Sequence, residues 1–416
     1  MAALKILVLT HCYPRYAGDS CTPFVKDLNE AHVRAGCAVR VIAPYDTDYS
    51  ADAFAHAVEL NTYRYAPREH WHLLGYSRTL DRDVRLKSFV WPLAPLLVVA
   101  GVRALFKRAK QWRPDVIHAH WALPSGWMAS LVAKRLNIPL FMTLHGSDVF
   151  VAERNAVFRM LARQTGQVAQ RITSCSPELA QRMIALGVPE RKLVLVPNGT
   201  DPSSFYANHP EAGSWRTRWL GVSAESARLI VALGRCVPKK GFDQLVAALP
   251  EVFSRYPDSR CIIAGGGPDE SLLRASVAAA GISSFVHFAG AIEHSAVPGL
   301  LAAADIVVVP SVRDEAGNID GLPVVVLEAM SAAKPVVATA LAGIPLAVEH
   351  GVTGLLCAPG DSAALTYALN TLLSDDSMCR EMGNRGRAKV LESLNWDAIS
   401  ARHRELYSAV LYGDAI

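Results

Sequence analysis

A chain of 416 residues is long enough for two domains of about 200 residues, each with a core of its own. Charged residues make up 19% and hydrophobic residues 51%, without a long polar or low-complexity tract, which excludes an intrinsically disordered chain. The net charge of +4 conceals an asymmetry: residues 1–200 hold 25 Lys and Arg against 15 Asp and Glu, and the remainder hold 17 against 23, so the halves should meet different partners.

In chain order, the N-terminus Met-Ala-Ala-Leu-Lys-Ile-Leu-Val-Leu-Thr enters a strand at once, without the basic region, apolar core and cleavage site of a secretory signal. A cytoplasmic location is expected. Short β-branched runs then alternate with longer amphipathic segments, the pattern of parallel strands joined by crossover helices, so the fold class is α/β. The first series of strands is expected at 5–10, 38–43, 116–120, 140–145, 172–176 and 194–197. Between them, the apolar stretch 88–106 is interrupted by Pro92, Pro95 and Arg103 and reads as a helix of the first domain rather than a membrane span. Residues 64–113 carry eleven Lys and Arg against three acids, interleaved with aromatic residues. An anionic membrane surface and a solvated charged face are the two readings of that segment.

The turn residues Asn198-Gly199-Thr200-Asp201-Pro202 fit a hinge, so the first domain is taken as 1–200 and the second as 201–394. A fresh strand series follows at 229–234, 261–265, 286–289, 306–310, 335–339 and 354–357. The tail 395–416 has helical spacing in Trp396, Ile399, His403, Leu406 and Val410, and is expected to pack back across the first domain. The eight cysteines, at 12, 21, 37, 175, 236, 261, 357 and 379, form no C-x-x-C pair and read as thiols in a reducing compartment.

Open parallel sheets bind ligands outside the carboxyl ends of their strands, so two such sheets facing a central cleft put the chemistry in their βα loops. The strand from 229 ends in Gly234-Arg235-Cys236-Val237-Pro238-Lys239-Lys240-Gly241 and is followed by an amphipathic helix. Arg235 and Lys240 thus sit at a helix N-terminus, where a diphosphate could be held by a fork and a point charge; a solvated basic turn is the plainer alternative. After the strand at 306–310, Asp320-Gly321-Leu322-Pro323-Val324 leads into a second helix, with Asp320 in the loop and Glu328 inside an apolar helical run. A carboxylate there is costly to bury without partners, which sugar or ribose hydroxyls would supply. A third loop, Ala264-Gly265-Gly266-Gly267-Pro268, would let backbone approach a ligand or simply turn tightly.

As a set, Asp115-Val-Ile-His-Ala-His-Trp121, Thr143-Leu-His-Gly-Ser-Asp148, Val196-Pro-Asn-Gly199, Gly234-Arg235, Lys240-Gly241, Ala303 to Ser311 and Asp320-Gly-Leu-Pro to Glu328-Ala resemble the family 4 retaining glycosyltransferases of GT-B architecture, over nearly the whole chain. The resemblance implies two Rossmann-like domains and a nucleotide diphosphate sugar as co-substrate, with no metal or other cofactor. It matches Arg235 and Lys240 to the pair gripping the donor diphosphate, and Glu328 to the second acid of an E-x7-E motif, which binds ribose. Asp320 takes the place of the first acid, usually Glu, facing the donor sugar. His145 matches a histidine near the transferred sugar and Gly321 to Val324 a backbone segment at the phosphates; Gly266 and Gly267 are taken as donor-binding from the reading of their own loop. Where the family often has paired glycines, Tyr16-Ala17-Gly18-Asp19 offers Gly18 alone.

The activity expected is retaining transfer of a hexose-type sugar to a glycan or lipid-linked acceptor, and the basic segment 64–113 favours the lipid-linked case, in cell-envelope or exopolysaccharide assembly at the inner face of a membrane; no nucleic-acid partner is expected. The alternatives are a nucleotide-sugar epimerase of GT-B architecture and a non-catalytic nucleotide-sugar-binding protein. A hydrolase using Asp320 and Glu328 as acid and base, and a metal site from His118, His120, His145 and Asp148, are the remaining rivals.

Overall fold

The computed structural model describes residues 3–16, 18–19, 21–50, 58–75, 80–82, 85–86, 88–220 and 227–413. The chain divides into two compact units, Met1–Val196 with Trp396–Ile416, and Pro197–Asn395.

In the first unit the strands are β1 (Lys5–Leu9), β2 (Ala38–Pro44), β3 (Glu59–Tyr63), β4 (Leu80–Arg82), β5 (Arg85–Leu86), β6 (Val116–His120), β7 (Leu140–Leu144), β8 (Arg171–Ser174) and β9 (Leu193–Leu195). Seven of them form one parallel sheet in the order β3-β2-β1-β6-β7-β8-β9, and β4 pairs with β5 as a separate ribbon. Central strands such as β6 and β7 are buried along their whole length, as expected when helices cover both faces of a parallel sheet. The edge strand β3, Glu-Leu-Asn-Thr-Tyr, was not among the expected strands: it is half exposed and has no apolar run to announce it.

Helix Trp396–Tyr412 belongs to this first unit. Its Trp396, Ile399, Leu406 and Tyr407 enter the core formed by Ile6, Val8, Val25, Leu28 and Val116. Helix Ala94–Trp112 covers the stretch read as helical, and buries Leu97, Gly101, Leu105 and Ala109. With the turn before it, Phe89–Trp112 is long and apolar enough to cross a membrane by length and composition.

In the second unit β10 (Leu229–Leu233), β11 (Arg260–Ala264), β12 (Val286–Gly290), β13 (Ile306–Val309), β14 (Val336–Thr339) and β15 (Gly354–Cys357) form a parallel sheet ordered β12-β11-β10-β13-β14-β15. Each sheet therefore starts at an inner strand, winds outward to one edge, then returns to wind the other way. This is the doubly wound arrangement, with a switch point between β1 and β6 in one unit and between β10 and β13 in the other. Helix Phe242–Arg255 buries Leu245, Val246, Leu249, Val252 and Phe253 on the second sheet.

Two expectations need correction. The structure joins Cys12 and Cys21 as a disulfide, so the reading of eight thiols fails for this pair; they lie nine residues apart across a loop that brings their backbones together. The unit boundary falls at 196/197, a few residues before the turn-rich hinge, and the tail joins at 396. Arg78, Asp83 and Lys87 of the basic segment, and Ala17 of the first glycine loop, lie outside the described residues.

Candidate functional site

The loops after β10 and β13 flank the switch point of the second sheet, the place where a doubly wound fold leaves a crevice at its strand ends. They are tied to each other: the Val312 amide donates to the Lys239 carbonyl at 2.9 Å, and a Cβ at Gly241 (φ +65°) would lie 1.9 Å from the Pro310 carbonyl oxygen. Only glycine allows that approach.

On this frame, Arg235 is exposed at the end of β10, while Lys239 and Lys240 are half-buried on a short turn, Pro238–Lys240. The Lys240 ammonium lies 2.7 Å from Asp320 Oδ2 and the Lys239 ammonium 3.2 Å from Oδ1. Burial alone would raise the pKa of Asp320, but Lys240 and then Lys239 outweigh it and hold the carboxyl well below its usual range. The lysines thus favour Asp320 as a carboxylate, the form that cannot serve as a general acid. Here Asp320 binds the lysine pair. The second cation, Lys239, was not singled out from the sequence, because consecutive lysines on a turn give no sign of which faces inward. Gly234 was also missed as a site residue: a Cβ there would sit 3.2 Å from Lys240 Cε, so its bareness leaves room for the lysine stem.

Gly321 and Leu322 are fixed by their carbonyls, which accept from the Gly343 amide at 2.6 Å and from Asn198 Nδ2 at 3.2 Å. Pro323 then opens helix Val324–Ser331 in extended backbone geometry. Proline preorganises such a start, and the first amides, including that of Val324, point out of the helix end. Glu328, its fifth residue, is 8% exposed among Val325, Val326, Leu327 and Met330. Arg235, Lys240, Asp320, the Gly321–Val324 backbone and Glu328 therefore all belong to two joined loops and the helix they introduce.

The glycine loop after β11 divides in its roles. Gly265 (φ +124°) would place a Cβ 1.9 Å from the Gly234 carbonyl oxygen, and Gly267 one 2.3 Å from the Cys236 carbonyl oxygen. Both glycines are needed to seat this loop on the Arg235 loop, where the Cys236 amide donates to the Gly266 carbonyl at 2.9 Å. Gly266 alone has open space over its α-carbon, the nearest atom being Glu270 Oε2 at 4.0 Å.

In the first unit His145 follows β7 and lies 3.0 Å from His120 through Nε2 and Nδ1, with its ring against Trp121 (4.4 Å) and Phe24 (4.9 Å). Burial, reinforced by His118 and His11, lowers its pKa to about 3, so the imidazole stays neutral. Asp148 accepts from the Ala122 amide at 2.7 Å and the Gly146 amide at 3.0 Å, and burial raises its pKa. His118 is hydrogen-bonded to Thr143 (2.8 Å) and Tyr407 (2.7 Å). The four residues of the metal alternative are thus engaged with protein partners, and no group of three or more His, Cys, Asp or Glu among the described residues is placed to hold an ion. Gly18, exposed at φ +82°, sits in a turn beside Arg15, which is bound to Asp19 at 2.7 Å.

Two doubly wound units of this kind, one with cations and a buried carboxylate at its switch point, define the GT-B class of nucleotide-sugar enzymes. The chain matches the model of Glycosyltransferase Family 4 over residues 23–204 and that of Glycosyl transferases group 1 over residues 215–389. It belongs to the glycosyltransferases of family 4 type, with the GT-B fold. It is similar to an uncharacterized glycosyltransferase of Methanocaldococcus jannaschii, 26% identical over 98% of this chain and 99% of that one. It is also similar to a GDP-mannose-dependent alpha-(1-6)-phosphatidylinositol monomannoside mannosyltransferase of Mycolicibacterium smegmatis, 34% identical over 61% of this chain and 65% of that one. Among solved structures, Anabaena HepE in complex with UDP superposes with a TM-score of 0.75 at 20% identity, covering 98% of this chain and 100% of that one. Sucrose-phosphate synthase of Thermosynechococcus elongatus reaches 0.75 at 22% identity, covering 99% and 100%.

Proposed function

We propose that this glycosyltransferase moves a hexose-type sugar from a nucleotide diphosphate donor to a glycan or lipid-linked acceptor, with retention of configuration and without a metal, in cell-envelope or exopolysaccharide assembly. The observation that carries the reading is the cluster of Arg235, Lys239 and Lys240 at the switch point of the second unit, adjoining the helix that buries Glu328. A phosphoryl-type anion entering there takes over the lysines that Asp320 holds, and the Gly321–Val324 amides add donors that need no reorganisation. Glu328, buried in the helix that follows the Gly321–Val324 segment, accepts from the donor ribose.

The bond from the sugar to the diphosphate breaks with its electron pair leaving on the diphosphate, and Arg235 and Lys240 stabilise that charge. The acceptor oxygen forms the new bond at the same carbon and passes its proton to a diphosphate oxygen. His145, neutral at physiological pH, contacts the transferred sugar as a hydrogen-bonding partner rather than a charge. A lipid-linked acceptor is favoured by the mycobacterial relative, whose name specifies a phosphatidylinositol monomannoside; that name specifies GDP-mannose, whereas the Anabaena structure holds UDP, so the donor base is the first thing to determine.

Thermal unfolding with UDP-, GDP-, ADP- and TDP-sugars measures this directly, because a ligand that binds only the folded state raises the melting temperature. One donor should stabilise the wild type, and Arg235→Ala or Lys240→Ala should lower transfer from it by on the order of 100-fold. Near-normal turnover in both variants refutes the assignment.

A further inference from the structure

A face of the first unit, remote in sequence from every residue discussed above as donor-binding, has an unusual combination of surface chemistry. Helices Ala94–Trp112 and Trp127–Leu136 pack together, and the latter packs on helix Ala156–Val168. The three helices contain eight Lys and Arg and not one carboxylate. On the same helices and the turn before them, Phe89 is 64% exposed, Val157 58%, Met160 50%, and Trp91 and Val99 48% each. The patch is continuous across elements, since the Trp91 ring lies nearly parallel to that of Phe158 on the third helix, at 6.4 Å.

Along helix Ala94–Trp112 the outward positions run from apolar (Leu96, Val99) to cationic (Arg103, Lys107, Lys110) at helical spacing, so the apolar part has a basic flank. Large apolar side chains collected in one place on a surface mark an interaction site, and aromatic and aliphatic groups bordered by Lys and Arg fit the boundary of an anionic bilayer. We infer that this face is a docking surface for an anionic lipid membrane, on which the first unit lies without spanning it.

Insertion as a span is opposed by packing. A Cβ at Gly101 would lie 2.7 Å from Met128 Sδ and 3.0 Å from the Tyr63 hydroxyl, so helix Ala94–Trp112 is pressed directly onto the body of its unit. Its inner face, with Leu97 and Leu105, would have to leave that core to enter a bilayer. The surface needs no such change to dock. It goes beyond the transfer reading and can fail independently of it, because vesicle binding is read without donor or acceptor.

The test is co-sedimentation of the full chain with vesicles of phosphatidylcholine alone and of phosphatidylcholine mixed with phosphatidylglycerol. Binding should be found with the mixed vesicles and should weaken as salt is raised. Lys107→Gln with Lys134→Gln should lower the partition coefficient by about 25-fold, at about 5-fold for each surface cation. Val99→Ser with Met160→Ser should lower it by about 10-fold or more through lost apolar contact. All four positions are exposed, and an unchanged thermal midpoint establishes that each variant is folded. Equal binding to both kinds of vesicle overturns the inference, as does unchanged binding by folded variants. It is likewise overturned if sedimentation equilibrium finds a dimer that the Val99→Ser, Met160→Ser variant dissolves in protein that binds no vesicles, since the face would then belong to a second copy.

Discussion

Lowering the pH from 6.5 to 5.5 should destabilise the first unit by about 6 kcal/mol, with the proposed donor-binding residues of the second unit playing no part. His32, His118, His120 and His403 are each at most 3% exposed. Three of them join the terminal helix to helix Pro23–Arg34 and to the sheet: Ser400 is 2.8 Å from His32, Tyr407 is 2.7 Å from His118, and His403 is 3.4 Å from Thr173, which bonds Thr143 at 2.7 Å. Burial is the main cause that keeps all four far below the usual imidazole range, His403 at about 4, and neighbouring histidines reinforce it for His32, His118 and His120. In the unfolded chain each titrates near 6.5. As pH falls below that value the unfolded state takes up protons that the folded state refuses, so stability is complete above pH 6.5 and drains away beneath it.

One unit lower, each site costs about 1 kcal/mol, and His11 and His145, lowered to about 4 and about 3, join the four to give ~6 kcal/mol. For a unit of this size that corresponds to a fall in melting temperature of about 12–24 °C. Asp148, raised by burial, acts in the opposite sense. Calorimetry at the two pH values measures the shift, and His403→Gln should remove about a sixth of it. A first-unit transition at the same temperature at both pH values, or a slope untouched by that substitution, would refute the argument.

Glu328→Ala should weaken donor binding by about 10- to 100-fold, the loss of a charged hydrogen bond, and titration calorimetry giving an unchanged Kd would rule out its ribose role. A chelator should leave transfer intact; activity lost on chelation and restored by magnesium would show that the fixed cations do not suffice. Gly265→Ala places a Cβ against the Gly234 carbonyl in a backbone region alanine disfavours, and should cost on the order of 3 kcal/mol or more in urea unfolding. A midpoint equal to wild type would mean that the two loops are not held together as described.

The second sheet was legible almost strand by strand, because a strand covered on both faces is written as an uninterrupted β-branched run, as in Ile306–Val309. β3 was not, since an edge strand is free to carry Glu59, Asn61 and Thr62. Candidate site residues that precede or begin a helix, such as Arg235 and Pro323, were visible as punctuation between strand and helix. Contacts that join distant turns were not: nothing along the chain says that Asp320 will meet two lysines, or that Gly267 is required by the Cys236 backbone. The histidine ladder was half visible. His118 and His120 share a strand face by their spacing, but Tyr407 and His403 come from the tail nearly 300 residues later.

That tail makes the second unit an insertion within the first. Residues 197–395 leave and rejoin at neighbouring points, where the Thr200 amide donates to the Leu394 carbonyl at 3.0 Å and Thr200 bridges Asn395. During synthesis the first Rossmann unit emerges early but lacks Trp396, Leu406 and Tyr407 from its interior until the whole of the inserted unit has been translated. The later-made unit is continuous and holds all of its core before the tail is translated, whereas the unit begun first is the last to have its interior complete.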